Sequence, residues 1–259
     1  MEQAEIINLH YKKTGQGPAL IILHGLFGSL DNWQSLARLL SSDYTVYCLD
    51  LRNHGKSAHT DAFSFELMAM DVFKFIELHQ LHQPDLIGHS MGGKVVLKML
   101  SMQAQKLGRA MILDISPKSY SPGHDEIFRA LFKLKLEELQ RRDEADLILQ
   151  TEIHDLVVRQ FLLKNLDRKT DGGFRWKFNL KSLFQNYPHI LEEIKFSQII
   201  NNEVCFVKGE YSNYIDVAEL NELKKTFIHG QLIEIKAAGH WIHADQPLKL
   251  LEAIKTFFI

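Results

Sequence analysis

The stretch DLIGHSMGGKVVLKML, residues 85–100, decides the fold. Its first four residues form a short apolar run typical of a buried strand, and the residues from Met91 onward have helical spacing. Between the two lies GHSMG at residues 88–92, a G-x-S-x-G pattern. In this context the pattern predicts a nucleophile elbow, a tight turn that exposes the serine hydroxyl at the edge of a sheet. We therefore predict Ser90 as a nucleophile, the alternative being a glycine-rich turn whose serine only caps the helix.

A second motif, HGLFG at residues 24–28, follows the apolar run ALIIL at 19–23. Acyl transfer needs two converging backbone N–H groups to bind the oxyanion. We predict that Met91 supplies one of them at the start of its helix and that Leu26 supplies the other. His24 is expected to brace this loop by hydrogen bonding rather than to act as a base. The alternative is an ordinary turn between strand and helix.

The general base is predicted from Gly239-His240-Trp241, which follows a strand-like run at 231–236. A serine hydroxyl is a poor nucleophile near neutral pH, so a base must reach it. His240 lies on the loop after that run and is the first candidate. His243 competes for the role, but it leads into helical sequence. The chain has 13 histidines, so most of them must have other roles.

The acid that orients the base is expected after the penultimate strand, predicted at 203–208, but the usual position is occupied by Ser212. Asp114 instead ends the strand predicted at 110–115, on the sheet edge where Ser90 is expected. The chain order Ser90, Asp114, His240 is the order used by serine hydrolases with this elbow. We predict Asp114 as the acid, with Glu210 and Asp216 as the alternatives. Asp114 could also serve only as a cap before the segment that follows.

The rest of the chain alternates strands and helices in its first half, which is typical of a parallel sheet built from βαβ units. Strands are expected at 5–13, 19–23, 44–49, 85–88 and 110–115, and again at 203–208 and 231–236. Residues 117–200 interrupt this pattern with helical segments around 124–141, 143–164 and 187–200 and no convincing strand. We predict a core domain formed by 1–116 and 201–259, with a helical cap formed by 117–200.

Composition limits the class of protein. The 259 residues carry a net charge of −2, which excludes a strongly basic nucleic-acid coat and gives no electrostatic reason to dock on an acidic membrane. No apolar stretch approaches the length of a membrane-spanning helix, and the N-terminus lacks the pattern of a secretion signal. The two cysteines, Cys48 and Cys205, are expected as buried free thiols. We predict a soluble, cytoplasmic protein with a small-molecule substrate.

The motifs HGLFGS (24–29), DLRNHGKS (50–57), GHSMGGK (88–94) and GHW (239–241) occur in an order and spacing that resemble the α/β-hydrolase superfamily. With LDISP at 113–117 and HDEIF at 124–128, the chain is most similar to bacterial YbfF-type esterases. The resemblance covers essentially the whole chain. It implies an eight-stranded, mostly parallel sheet with helices on both faces and a helical cap. It also implies serine hydrolysis of esters or thioesters, acyl-CoA among them, with no metal or organic cofactor.

Other activities remain open on such a scaffold, because the fold does not fix the chemistry. Hydrolysis of C–C bonds and a lyase reaction of the menaquinone-pathway type are the enzymatic alternatives, and a non-catalytic ligand-binding protein is the third. Dehalogenases and epoxide hydrolases need an aspartate where Ser90 stands. His24, Phe27, Trp176 and Trp241 are the candidates for contact with the substrate, and the cap is expected to set the preference for the acyl group.

Overall fold

The structure is a computed structural model that describes residues 5–259. Its strands are β1 (Tyr11–Thr14), β2 (Ala19–Leu23), β3 (Thr45–Leu49), β4 (Asp85–His89), β5 (Ala110–Leu113), β6 (Leu166–Arg168), β7 (Phe174–Trp176), β8 (Val204–Gly209) and β9 (Gly230–Ile235). Seven of them form one sheet in the order β1-β3-β2-β4-β5-β8-β9. β1 is antiparallel to β3, and the other pairs in this sheet are parallel.

The parallel register brings six loops to one edge of the sheet. Leu23 of β2 pairs with Gly88 of β4, and His89 pairs with Leu113 of β5. β8 continues this register beside β5, and β9 continues it beside β8. Because parallel strands end at the same edge, the residues that follow β2, β3, β4, β5, β8 and β9 converge there.

Helices cover both faces of the sheet, as the resemblance implies. Their bounds are α1 (Gln34–Leu40), α2 (Phe65–Leu78), α3 (Met91–Gln103), α4 (Asp125–Lys133), α5 (Arg142–Leu149), α6 (Leu156–Lys164), α7 (Leu180–Gln185), α8 (Tyr187–Ile190), α9 (Leu220–Thr226), α10 (Ile242–Asp245) and α11 (Pro247–Phe258). One apolar core contains Val72 of α2 and Val95 of α3. A second core, on the opposite face, contains Leu40 of α1 and Ile254 of α11.

Within residues 5–259 the sheet has seven strands rather than the eight that the resemblance implies, and the strand expected at 5–13 forms at Tyr11–Thr14. In the residues before β1, two backbone N–H groups form hydrogen bonds with polar side chains. The Ile7 N–H donates to the Asp71 carboxylate at 2.9 Å, and the His10 N–H donates to the Ser57 hydroxyl at 2.8 Å. These residues therefore have N–H groups committed to side chains rather than to a neighbouring strand.

The segment between β5 and β8 contains helices α4 to α8, but the expectation that it holds no strand is wrong. β6 and β7 form an antiparallel hairpin in which Leu166 pairs with Trp176. Gly172 and Gly173 form the turn with φ values of +101° and +69°, a region that favours glycine. Phe174 and Trp176 are buried on one side of β7. The division into a core and a cap at 117–200 stays a prediction.

Candidate active site

Ser90 lies in the sharp turn between β4 and α3, with φ of 52° and ψ of −118°. A non-glycine residue in this region is strained and is held there by its surroundings. A Cβ atom on Gly88 would lie 2.5 Å from the Gly92 carbonyl oxygen, and one on Gly92 would lie 2.5 Å from the Leu23 carbonyl oxygen. The Ser90 N–H also donates to the Leu113 carbonyl at 2.9 Å, which ties the turn to β5. The two glycines of the G-x-S-x-G pattern are thus required by close backbone packing.

The structure brings Ser90, His240 and Asp114 together. The His240 Nε2 atom lies 3.0 Å from Ser90 Oγ, and its Nδ1 atom lies 2.8 Å from Asp114 Oδ2. The Asp114 side chain is fully buried, whereas the imidazole of His240 is slightly exposed. A nucleophile, a base within hydrogen-bonding distance and a carboxylate that orients the base form the arrangement required for nucleophilic catalysis by serine.

Asp114 is anchored to β8 and to the loop that follows it, where the alternative acids lie. It adopts a positive φ of 51° directly after β5, and its N–H donates to the Val207 carbonyl at 2.8 Å. Its Oδ1 atom accepts a hydrogen bond from the Gly209 N–H at 3.1 Å. Its Oδ2 atom accepts one from the Ser212 hydroxyl. Ser212, at the usual position of the acid, therefore donates to the carboxylate that contacts His240.

The two alternative acids are engaged elsewhere. Glu210 accepts a hydrogen bond from the Ala237 N–H at 2.8 Å and pairs with Lys236 at 3.1 Å. Asp216 accepts a hydrogen bond from the Ala218 N–H at 2.9 Å. Both carboxylates therefore have local partners in exposed loops.

His240 is held by contacts on several sides. The ring of Tyr214 stacks on the imidazole with centroids 4.0 Å apart, and His89 Nε2 donates to the His240 carbonyl at 2.8 Å. The competing His243 instead stacks on Trp33, with centroids 4.6 Å apart. Burial lowers the pKa of His243 to about 3, so this ring is neutral near pH 7. Its contacts are those of a core residue.

Leu26 and Met91 both border the cavity that contains Ser90. Leu26 lies within a turn closed by the hydrogen bond from the Gly28 N–H to the Gly25 carbonyl at 3.0 Å. Met91 is the first residue of α3, so its N–H has no carbonyl acceptor one turn earlier in the helix. Both residues predicted as oxyanion donors therefore lie at the cavity that contains Ser90, and their donor role stays a prediction.

The main cavity at Ser90 has a volume of about 330 Å³. Its walls are largely aromatic and aliphatic. The segment between β5 and β8 contributes Tyr120, Tyr187, Ile190 and Leu191, and the loop after β8 contributes Tyr214. A second cavity of about 20 Å³, the size of about one water molecule, also borders Ser90 and His240.

The expected substrate contacts are placed differently by the structure. Phe27 and Trp241 border the small cavity. His24 is buried behind the loop, where its Nδ1 donates to the Gly25 carbonyl at 2.8 Å and its Nε2 accepts from the Leu51 N–H at 3.0 Å. Trp176 lines a separate cleft, because the hairpin stacks its indole on Phe178 with centroids 5.1 Å apart. The structure thus does not bring His24 and Trp176 to the cavity at Ser90.

Several residues of the main cavity were not predicted from the sequence, and three of them have contacts that bear on the site. Lys94, His124 and Tyr187 line the main cavity, and His124 Nδ1 lies 2.6 Å from the Tyr187 hydroxyl. Lys94 belongs to the GHSMGGK motif, so its position one turn after Ser90 was a usable signal. His124 and Tyr187 lie 63 residues apart in the chain, and local sequence does not reveal that they meet.

Buried histidines around the site make stability depend on pH. Burial lowers the pKa of His89 well below its usual value. It also lowers the pKa of His124 to about 4 and that of His243 to about 3. In the unfolded chain each has a pKa of about 6.5. As the pH falls below about 6.5 the unfolded state binds protons that the native state does not, so the free energy of unfolding falls by about 1.4 kcal/mol per pH unit for each such histidine. Above that pH this effect is absent.

We therefore expect the denaturant midpoint to fall steeply as the pH is lowered from about 7 to about 5. Replacing His243 with phenylalanine keeps a ring against Trp33 and removes one titrating group, so the slope should decrease. His82→Gln, at an exposed position, is the matched control and should leave the slope unchanged. Equal slopes for the wild type and His243→Phe, measured by urea unfolding, would contradict this explanation.

The chain belongs to the α/β-hydrolase family, because the family model for the alpha/beta hydrolase fold matches residues 18–247. It is 38% identical to a protein of Haemophilus influenzae named a putative esterase/lipase, with 95% of this chain and 85% of that protein covered. It is 34% identical to esterase YbfF of Escherichia coli, with 92% of each covered. The resemblance to YbfF-type esterases is thereby confirmed.

A solved structure has the same fold as this chain. A solved structure titled marine microorganism esterase superposes with a TM-score of 0.94 at 37% sequence identity, covering 97% of this chain and 100% of that one. Among the helices that the structure describes, none has the length and apolarity needed to cross a bilayer.

Proposed function

We propose that this protein is a serine hydrolase that cleaves carboxylic esters through an acyl-enzyme on Ser90. The observation that carries the proposal is the hydrogen-bonded series from Asp114 through His240 to Ser90 at the wall of an apolar cavity. The esterase and lipase names of the relatives support ester hydrolysis as the reaction.

The reaction follows from this geometry. His240 Nε2 takes the proton of Ser90 Oγ as the oxygen attacks the acyl carbon, and Asp114 stabilises the imidazolium and fixes its tautomer. The N–H groups of Leu26 and Met91 bind the oxyanion of the tetrahedral intermediate. His240 then gives the proton to the leaving alcohol, which departs as the acyl-enzyme forms. His240 then takes a proton from the water that attacks the acyl-enzyme, and it gives this proton to Ser90 Oγ as the bond to the acyl group breaks and the carboxylic acid leaves.

The size of the cavity supports small substrates. Its volume of about 330 Å³ lies at the lower end of the range for small-molecule sites, about 300–1,000 Å³. We propose short to medium acyl chains as the preferred acyl group. Thioesters, acyl-CoA among them, are a further substrate class of the proposal, because attack on a thioester carbonyl uses the same nucleophile, base and oxyanion site.

A substrate series tests this proposal. We expect turnover of p-nitrophenyl esters and acyl-CoA thioesters with short and medium chains, and a fall in kcat/KM for long chains. Leu191→Ala should enlarge the cavity and shift the optimum to longer chains, since Leu191 forms part of its wall. Leu147→Ala, at an exposed position on α5, is the control and should leave the optimum unchanged. A folded protein that turns over none of these compounds would contradict the proposed reaction.

We also propose a cytoplasmic location. Cys48 and Cys205 are buried free thiols, and burial raises the pKa of each to about 12. Unpaired thiols are typical of proteins in a reducing compartment.

A further inference from the structure

A buried lysine connects the helix behind the nucleophile to both ends of the segment between β5 and β8. Lys94 lies in the first turn of α3, where its N–H donates to the Ser90 carbonyl at 3.1 Å. The residue is only 1% exposed. Its Nζ atom donates to the Pro117 carbonyl at 3.0 Å, to the Glu192 carbonyl at 2.8 Å and to the Lys118 carbonyl.

The number of acceptors matches the charged form of the side chain. An ammonium group has three N–H donors and no acceptor, so three carbonyls satisfy it completely. A neutral amine has only two N–H donors, so at least one of the three carbonyls would lose its bond to Nζ. All three bonds can form at once only when Nζ carries three protons, so the geometry matches the ammonium form.

The carbonyls come from the two places where the chain enters and leaves the segment. Those two places are already paired by backbone hydrogen bonds, from the Tyr120 N–H to the Leu191 carbonyl at 2.9 Å and from the Ile194 N–H to the Pro117 carbonyl at 2.8 Å. Tyr120 and Leu191 also form walls of the cavity at Ser90. Lys94 therefore attaches the two hydrogen-bonded ends of this segment to α3, the helix that begins beside Ser90. These ends carry the side chains that face the cavity.

We propose that Lys94 is a positioning residue whose ammonium group fixes both ends of this segment over Ser90, so that its charge sets how tightly the cavity holds the substrate. This inference rests on the proposed function, in which Ser90 is the nucleophile of the cavity. Lys94 does not act on the reacting atoms: its three donors are used by carbonyls, and it acts through Tyr120 and Leu191.

The charge of Lys94 changes within the range of an ordinary assay. Burial lowers the pKa of its ammonium group to about 7, the nearby positive charge of Lys118 lowers this pKa as well, and the carboxylate of Glu193 raises it. The hydrogen bonds that fix the segment are therefore complete below about pH 7 and are weakened as the pH rises above it.

The tyrosines near Lys94 do not titrate in the same range. Lys94 Nζ lies 5.1 Å from the ring centroid of Tyr120, and burial raises the pKa of this tyrosine to about 12. Burial also raises the pKa of Tyr214, in the loop after β8, to about 12, and raises that of Tyr187 in α8. Glu219 pairs with Lys118, and the side chain of Glu192 faces away toward His189.

Steady-state kinetics as a function of pH test the inference. With p-nitrophenyl butyrate, we expect the KM of the wild type to rise by about tenfold between about pH 6.5 and 8.5, with kcat changing by less than about threefold. Lys94→Met removes all three bonds, so its KM should be raised and independent of pH. Lys94→Arg keeps its charge at every pH of the assay, so its KM should show no alkaline rise. Lys98→Met, one turn further along α3 and partly exposed, is the control and should behave as the wild type.

Hydrogen exchange provides a readout independent of turnover. After correction for intrinsic rates, exchange in residues 117–124 and 187–194 should be faster at about pH 8.5 than at about pH 6.5, whereas β4 should be unchanged. This comparison uses the wild type and decides the question even if a Lys94 variant does not fold. A wild-type KM that does not change with pH would overturn the inference, and so would exchange that is equal at the two pH values.

Labelling of Ser90 by a fluorophosphonate distinguishes a failure of the role of Lys94 from a failure of the proposed function. Labelling with a flat KM rejects the role of Lys94 and leaves the proposed function standing. A folded wild-type protein that does not react at Ser90 rejects the proposed function itself, and with it the role of Lys94.

Discussion

Replacing Ser90 with alanine is expected to lower kcat for ester hydrolysis by roughly 10⁴- to 10⁶-fold. The proposed mechanism forms a covalent bond at Ser90 Oγ, and alanine removes that atom while leaving the oxyanion donors in place. The turn itself is set by the close packing of Gly88 and Gly92, so the variant should fold. The measurement is kcat/KM for p-nitrophenyl butyrate together with the urea midpoint of unfolding.

Ser101→Ala is the matched control for this experiment. Ser101 lies on the same helix, and its hydroxyl donates to the Lys98 carbonyl at 2.8 Å, away from the cavity. Its substitution should leave kcat/KM within about twofold of the wild type, since it touches none of the reacting groups. A Ser90→Ala protein, free of contaminating esterase, that keeps more than about a tenth of the wild-type rate would exclude Ser90 as the nucleophile.

Asp114→Asn is expected to lower kcat by roughly 10³- to 10⁴-fold. An amide at this position can donate to His240 Nδ1, which favours the tautomer with the proton on Nε2 and leaves no base facing Ser90 Oγ. Asparagine has nearly the same shape as aspartate, so its effect on folding should be far smaller than its effect on turnover. Ser212→Ala should have an intermediate effect, because it removes one donor to the carboxylate and keeps the charge.

Glu210→Gln and Asp216→Asn serve as controls for the position of the acid. Glu210 is held by a backbone N–H and by Lys236, Asp216 is held by a backbone N–H, and neither change removes a contact of His240. Each variant should stay within about tenfold of wild-type kcat, which is about 1.4 kcal/mol or less. A nearly normal Asp114→Asn enzyme beside an inactive Glu210 or Asp216 variant would place the acid in the loop after β8.

The parts of the fold that local patterns determine were predictable from the sequence. Apolar runs such as ALIIL fixed the core strands to within one or two residues, because a strand buried on both faces leaves a continuous apolar signal. The elbow at Ser90 has a similar local cause, since only small residues fit beside the turn. The proximity of Asp114 to His240 followed from a general property of parallel sheets, whose strands end at one edge.

The remaining features depend on contacts between distant residues. Trp176 was expected at the cavity, but the hairpin that turns at Gly172 and Gly173 stacks its indole on Phe178. A run of three residues such as FRW is too short to be distinguished from a loop by its pattern. The hydrogen bond from Ser212 to Asp114 spans 98 residues, and nothing local marks it. Lysine side chains are rarely buried, and the burial of Lys94 depends on carbonyls from both ends of another segment.

The most direct test of the central claim, that Ser90 is a nucleophile activated by His240 and Asp114, is the site and rate of labelling by a fluorophosphonate. Intact-protein mass spectrometry should show one adduct, and peptide mapping should place it on Ser90. Ser90→Ala should give no adduct, and Asp114→Asn should react far more slowly than the wild type. An adduct on a different residue, or a folded wild-type protein that does not react, would contradict the claim.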